Sequence, residues 1–91
     1  MGQDIAAITM KVMPTSPDVD LESLKDEVKK TVEQKGGANK EYSEQPIAFG
    51  LKAIFASFRW PEEQDVDPVE EAIGNIENVQ SVTVTEMRKI E

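Results

Sequence analysis

Residues able to do covalent chemistry are scarce in this sequence. Its 91 residues include no histidine and no cysteine. A Ser-His-Asp triad, a Cys-His pair and an imidazole proton shuttle are therefore excluded. So are a disulfide framework and thiolate-ligated zinc. A metal site would need oxygen ligands alone. The acidic run Glu62, Glu63, Asp65 and Asp67 has no oxygen-ligand spacing and reads as a solvated helix entry, so neither metal nor cofactor is expected. Two segments carry more information. In Gln45-Pro46-Ile47-Ala48-Phe49-Gly50-Leu51-Lys52, proline stops strand pairing and glycine lets another backbone approach. Ile47 and Phe49 then fall at or near a hairpin tip, where Phe49 either caps one end of the core or is displayed. The second is the C-terminal run Val79-Gln80-Ser81-Val82, then Glu86-Met87-Arg88-Lys89-Ile90. Its adjacent cations read as a solvated strand end or as a mobile positive charge offered to a partner's anion.

Charge limits the partners. Ten basic and eighteen acidic residues give a net charge of −8. A general nucleic-acid binder places Lys and Arg on phosphates, and here the basic residues form no run, so direct nucleic-acid binding is not expected. An acidic chain suits a basic protein surface, or simply solubility. No apolar run reaches the roughly 18 residues of a membrane span. Met1-Gly2-Gln3-Asp4 does not open a signal peptide. A soluble cytoplasmic protein is expected.

These segments must be held by a small scaffold, and one domain over 1–91 fits the length. Ile5–Met13 alternates, with Ala6, Ile8, Met10 and Val12 on its apolar face. Pro14–Asp18 is a connector. Asp20 is an N-cap, and Leu21, Leu24, Val28 and Val32 give a helical stripe ended by Gly36-Gly37. Ala38–Glu44 is polar and reads as an edge strand, with Gln45-Pro46 turning the chain. Ile47–Trp60 reads as one long central strand with Ile54, Ala56, Phe58 and Trp60 on one face. Asp67 at N-cap with Pro68 at N1 starts a second helix carrying Val69, Ala72, Ile73 and Ile76. It places Gly74 mid-helix and lets Asn78 end it. Val79–Ile90 is the last strand. The fold class is α+β: a ferredoxin-like βαββαβ sandwich, sheet order 4-1-3-2, both helices on one face.

That architecture serves many functions and implies none. The two informative segments resemble the guanine-nucleotide exchange domain of the elongation factor 1-beta family, in its short archaeal form. Pro46-Ile47-Ala48-Phe49-Gly50, Val79-Gln80-Ser81-Val82 and Met87-Arg88-Lys89-Ile90 carry the resemblance. Met10-Lys11-Val12-Met13-Pro14 and Ser16-Pro17-Asp18-Val19-Asp20-Leu21 extend it over essentially the whole chain.

The resemblance implies a partner, the GTPase elongation factor 1-alpha, whose GDP is released so that GTP can bind. It implies no covalent chemistry and no cofactor. Lys89, beside the last hydrophobic residue, matches the lysine that reaches the magnesium and phosphate end of the partner's nucleotide site. Phe49 matches the phenylalanine that docks in the partner's second domain. Pro46, Ile47, Gly50, Met87, Arg88 and Ile90 would add partner contacts. Topology would put Lys89 and Phe49 at opposite ends of the sheet. Glu91 departs from the family by following Ile90, and its carboxylates would lie beside Lys89. A monomer is expected. The competing reading is a ferredoxin-like small-molecule-binding regulatory module, which would need a pocket at a dimer interface.

Overall fold

The computed structural model describes residues 5–90. Met1–Asp4, Glu91 and the side chain of Ile90, which figure in the expectations above, lie outside the described residues. The elements run β1 (Ile5–Pro14), α1 (Leu21–Gln34), β2 (Ala38–Pro46), β3 (Lys52–Pro61), α2 (Asp67–Gly74) and β4 (Val79–Ile90). The four-stranded sheet is ordered β2-β3-β1-β4, and its neighbours pair antiparallel. This is the ferredoxin-like arrangement expected from the sequence. Alternation in β1 and β3 buries Ala6, Ile8, Met10 and Val12 against Ile54, Ala56, Phe58 and Trp60. Leu24, Val28 and Val32 of α1 and Val69 and Ile73 of α2 complete one core cluster on that same face.

Asp20 caps α1 as expected, its Oδ1 accepting the Glu22 N–H at 3.1 Å. Gly36 ends the helix at φ +101°, in the left-handed region that glycine enters without a Cβ clash. Gly37 matters for space. A Cβ there would lie 2.7 Å from Val32 Cγ1, 3.0 Å from Trp60 Cε3 and 3.3 Å from the Arg59 carbonyl. Val32 and Trp60 are both core residues, so neither can yield cheaply. Gly37→Ala is expected to destabilise by about 1–3 kcal/mol through overpacking. Denaturant unfolding checks it.

Other boundaries differ from expectation. β2 continues through Pro46, which pairs with Lys52; a strand's last position tolerates the missing N–H. Ile47–Leu51 is accordingly a turn, and β3 starts only at Lys52. The N-cap of α2 is Val66, without a side-chain cap bond, and Asp67 is already helical. Proline's fixed φ and the acidic first turn start the helix without a cap. Gly74 is the last helical residue rather than a middle one. Asn78 lies beyond the helix at φ 76°, and its carbonyl accepts the Thr15 N–H at 2.9 Å.

The edge strand β2 is clamped to α1 by Lys25, whose Nζ lies 2.7 Å from Glu44 Oε2 and 3.2 Å from Glu22 Oε2. The hydrogen bond from Lys25 holds the Glu44 carboxyl below its usual range, with the charges of Lys25 and Lys52 adding to it. The same bond raises Lys25 above its ordinary 10.5. The Glu44 contribution is therefore fully present above the unfolded carboxylate value of about 4.3 and is lost as pH falls through the lower folded value. That of Lys25 is present below 10.5 and is lost as pH rises through its raised value. Glu44→Gln should be less stable than the parent near neutrality, and the difference should vanish in strong acid. Urea titrations across pH check the convergence.

Candidate functional site

The turn between β2 and β3 is a preformed display. The Ile47 N–H donates to the Leu51 carbonyl at 2.9 Å, and the Leu51 N–H to that of Ala48 at 3.0 Å. Gly50 has φ 76° and Phe49 φ 60°. Glycine adopts that region readily, whereas for a phenylalanine it is strained. The loop closes by forcing Phe49 outward, and its side chain is 93% exposed. It does not cap the core. Pro46, Ile47 and Gly50 are exposed around it.

The second candidate segment lies where β4 ends. Lys89 pairs with Ala6, Arg88 with Ala7 and Met87 with Ile8. Ala6 and Ile8 face the helices, so Met87 and Lys89 share that side while Arg88 lies on the open face. The structure thus separates residues that the sequence grouped. Arg88 Nε pairs with Glu86 Oε2 at 3.1 Å, and Lys89 Nζ lies 3.7 Å from Glu62 Oε1.

A bulge sets this phase. Thr9 pairs with Glu86, but Met10 pairs with Val84, leaving Thr85 as an extra residue in β4. Its Oγ1 donates to the Thr9 carbonyl at 3.2 Å. A bulge of this kind re-aims every later side chain in its strand. Val82 and Val84 pack against the core before it, and Met87 and Lys89 return to the same side after it.

The two segments occupy opposite ends. Lys89 is level with Ala6, which pairs with Trp60, and the turn lies just before Lys52, at the opposite end of β3. The eight-residue step from Trp60 to Lys52 spans about 26 Å of strand, in a molecule 47 Å long. The exposed large hydrophobics among the described residues are Ile47, Phe49 and Met87, and all lie at these two ends. Ile47 and Phe49 stand together in the turn, and Met87 stands at the other end.

A family model described as the EF-1 guanine nucleotide exchange domain matches residues 7–90. The chain belongs to this family. Guanine-nucleotide exchange is its function, and the small-molecule regulatory reading is not favoured. The exchange domain is 44% identical over 79 residues to elongation factor 1-beta of Methanococcus maripaludis strain C7, covering 86% of this chain and 89% of that one. It is 40% identical over 88 residues to elongation factor 1-beta of Methanosphaera stadtmanae, covering 96% and 97%. The C-terminal domain of the MgtC protein from Mycobacterium tuberculosis superposes with a TM-score of 0.62 over 99% of this chain and 90% of that one, at 8% identity. That likeness shows the fold alone. No helix among the described residues is long and apolar enough to cross a membrane.

Sequence reasoning missed two participants at the Lys89 end of the exchange domain. Glu62 was read only as part of a solvated helix entry, since nothing in the sequence places it level with β4. Thr85 was read as one more strand residue, because a bulge leaves no mark in a run of threonines and valines.

Proposed function

We propose that the chain promotes GDP release and GTP rebinding on elongation factor 1-alpha by spanning two of its domains. Phe49 anchors one end, with Pro46, Ile47 and Gly50 shaping its turn. Lys89 acts at the other, with Met87, Arg88 and Ile90 contributing contacts around it. The supporting observation is the placement of the two segments at opposite ends of one hydrogen-bonded sheet, with Ile47 and Phe49 exposed at one and Met87 at the other. A rigid spacer fixes the position of Lys89 once Phe49 is seated, so binding at one end reduces the entropy lost at the other.

The mechanism follows from charge. A GTPase holds its diphosphate through Mg²⁺, a lysine and backbone N–H groups. An ammonium group on a flexible four-carbon stem brought to that site repels the cation and competes for the oxygens that hold it. Nucleotide binding weakens as a result. Linkage requires the converse, that bound nucleotide weakens the factor to the same degree, so arriving GTP expels it. No bond is made or broken. The Lys89–Glu62 pair does not oppose delivery strongly, because its side chains are 50% and 38% exposed and such pairs contribute only about 0–1 kcal/mol. In this reading the whole chain is one exchange domain, working in the cytoplasm as a monomer, without cofactor and without direct contact to nucleic acid or membrane.

The test is direct. Elongation factor 1-alpha loaded with a fluorescent GDP analogue is mixed with excess GDP and substoichiometric chain. Accelerated release with turnover is the expected result; release at the spontaneous rate overturns the proposal.

A further inference from the structure

The segment Ser16-Pro17-Asp18-Val19-Asp20-Leu21, which joins β1 to α1, takes no part in charge delivery, and most of its residues have duties inside the fold. Asp20 caps α1. Val19 and Leu21 pack against the core. Ser16 closes the turn: its Oγ accepts the Asp18 N–H at 3.3 Å, and its carbonyl accepts the Val19 N–H at 3.4 Å. Pro17 has no such duty. It is an apolar residue held exposed on a pinned loop.

Its position gives it one. A Cβ at Gly50 would lie 4.0 Å from Pro17 Cβ and Cγ, so the connector stands beside the turn that displays Phe49. Pro46 lies before Phe49 in the chain, and Pro17 lies against Gly50 after it. With Ile47 and Phe49 the two prolines make an exposed apolar surface drawn from two loops. Asp18 adjoins Pro17, and Lys52 borders a crevice of about 160 Å³ together with Pro17 and Gly50. Their opposite charges favour neither sign, so apolar contact is what this surface offers.

A docking site at this end needs a contribution of that kind. A specific interface takes about 800 Å² and about 20–30 residues from each partner, more than one turn and a strand end supply. An aromatic anchor also needs surrounding contacts that keep water from it, and Phe49, 93% exposed, stands clear of its own chain. Proline suits such a rim. It loses no rotamer freedom when buried, and backbone bonds already fix the loop that carries it.

We propose that Pro17 is part of the docking surface, and that the connector and the Phe49 turn seat together on one apolar surface of the GTPase. The proposal rests on the reading that Phe49 anchors this partner, and it extends the anchor from one loop to two.

The chain has no cysteine, so Pro17→Cys, alkylated with a trifluoromethyl reagent, gives one fluorine resonance from the connector. In the free factor that resonance should respond to exchange of H₂O for D₂O, as a solvated group does. Nucleotide-free elongation factor 1-alpha should shift it and remove most of that response. The same label at Lys30→Cys, on the exposed side of α1, should keep its response in the complex. Unlabelled Pro17→Ala should weaken binding about fivefold or more. Its stability should fall only slightly, as when loss of a proline frees the unfolded chain. Pro17→Ser repeats the measurement if the alanine variant folds poorly.

If the label at position 17 stays solvated in the complex, or if the unlabelled variants bind as tightly as the parent, the connector is overturned as a docking element. Weakened binding by Phe49→Ala would then leave the wider reading standing. If Phe49→Ala also bound as tightly as the parent, both would be overturned.

Discussion

Lys89→Ala is expected to bind elongation factor 1-alpha nearly as well as the parent chain but to stimulate GDP release about 10- to 100-fold less, the loss of one charged contact of about 1.5–3 kcal/mol at the moment of exchange. The asymmetry follows from area. A specific interface buries on the order of 1,200–2,000 Å², and one half-exposed lysine contributes little of that. Its effect lies in where the charge is placed. Stopped-flow release of a fluorescent GDP analogue, with and without Mg²⁺, measures it. In excess chelator the parent and the variant should converge, because the cation that the ammonium displaces is already gone. A variant that releases GDP at the parent rate in the presence of Mg²⁺ would mean that exchange arises from the body of the sheet.

Phe49 gives the second large effect, and its sign differs between two assays. Phe49→Ala should weaken partner binding by about 2 kcal/mol or more, as for an aromatic anchor. Its folding stability should scarcely change, since a ring that is 93% exposed leaves no cavity behind. Phe49→Gly goes further. With φ at 60°, a side chain at this position costs about 1–2 kcal/mol of left-handed strain. Glycine relieves that strain and loses part of the gain to unfolded-state entropy, so a net rise of up to about 1 kcal/mol is expected. A variant that is more stable but binds worse would show that the phenylalanine is retained for docking at the expense of the fold. If thermal unfolding shows a large loss of stability, with affinity per folded molecule unchanged, the anchor role is wrong.

The elements with strong periodicity were legible in the sequence. Leu24, Val28 and Val32 marked α1, the alternation from Ala6 to Val12 marked β1, and together with the order of the remaining segments they gave the topology. Asp20 was read correctly because a capping aspartate acts within its own neighbourhood. What escaped was set by contacts distant in sequence or by backbone dihedrals. Asp67 looked like a cap, yet the helix begins one residue earlier, where proline and the first-turn charges suffice. Phe49 and Leu51 looked like strand residues by composition, but the positive φ at Phe49 and Gly50 breaks the strand. At the site, Phe49 was recognised as a tip residue and Lys89 as a terminal cation. The division of Met87 and Lys89 from Arg88 was not recognised, because it depends on which residue of β4 is left out of the pairing with β1.

That bulge makes β4 sensitive to the parity of its length. Val84 and Lys89 are five positions apart, an odd separation, and regular alternation would put them on opposite sides of the sheet. Thr85 makes the effective count even, so one continuous strand serves the core with its first half and, in the proposed reading, the partner with its second. Deleting Thr85 would leave Val84 and Lys89 four positions apart, and regular alternation alone would then keep Lys89 on its present side. Flattening the bulge at unchanged length would do the reverse. Arg88 would take the side that Lys89 now holds, while the hydrophobic half of the strand stayed in place. The fold would tolerate that change, but a guanidinium would stand where the proposed mechanism places a compact ammonium. Which of the two cations is presented thus depends on strand length and bulge together, and a change in one is neutral only when the other compensates.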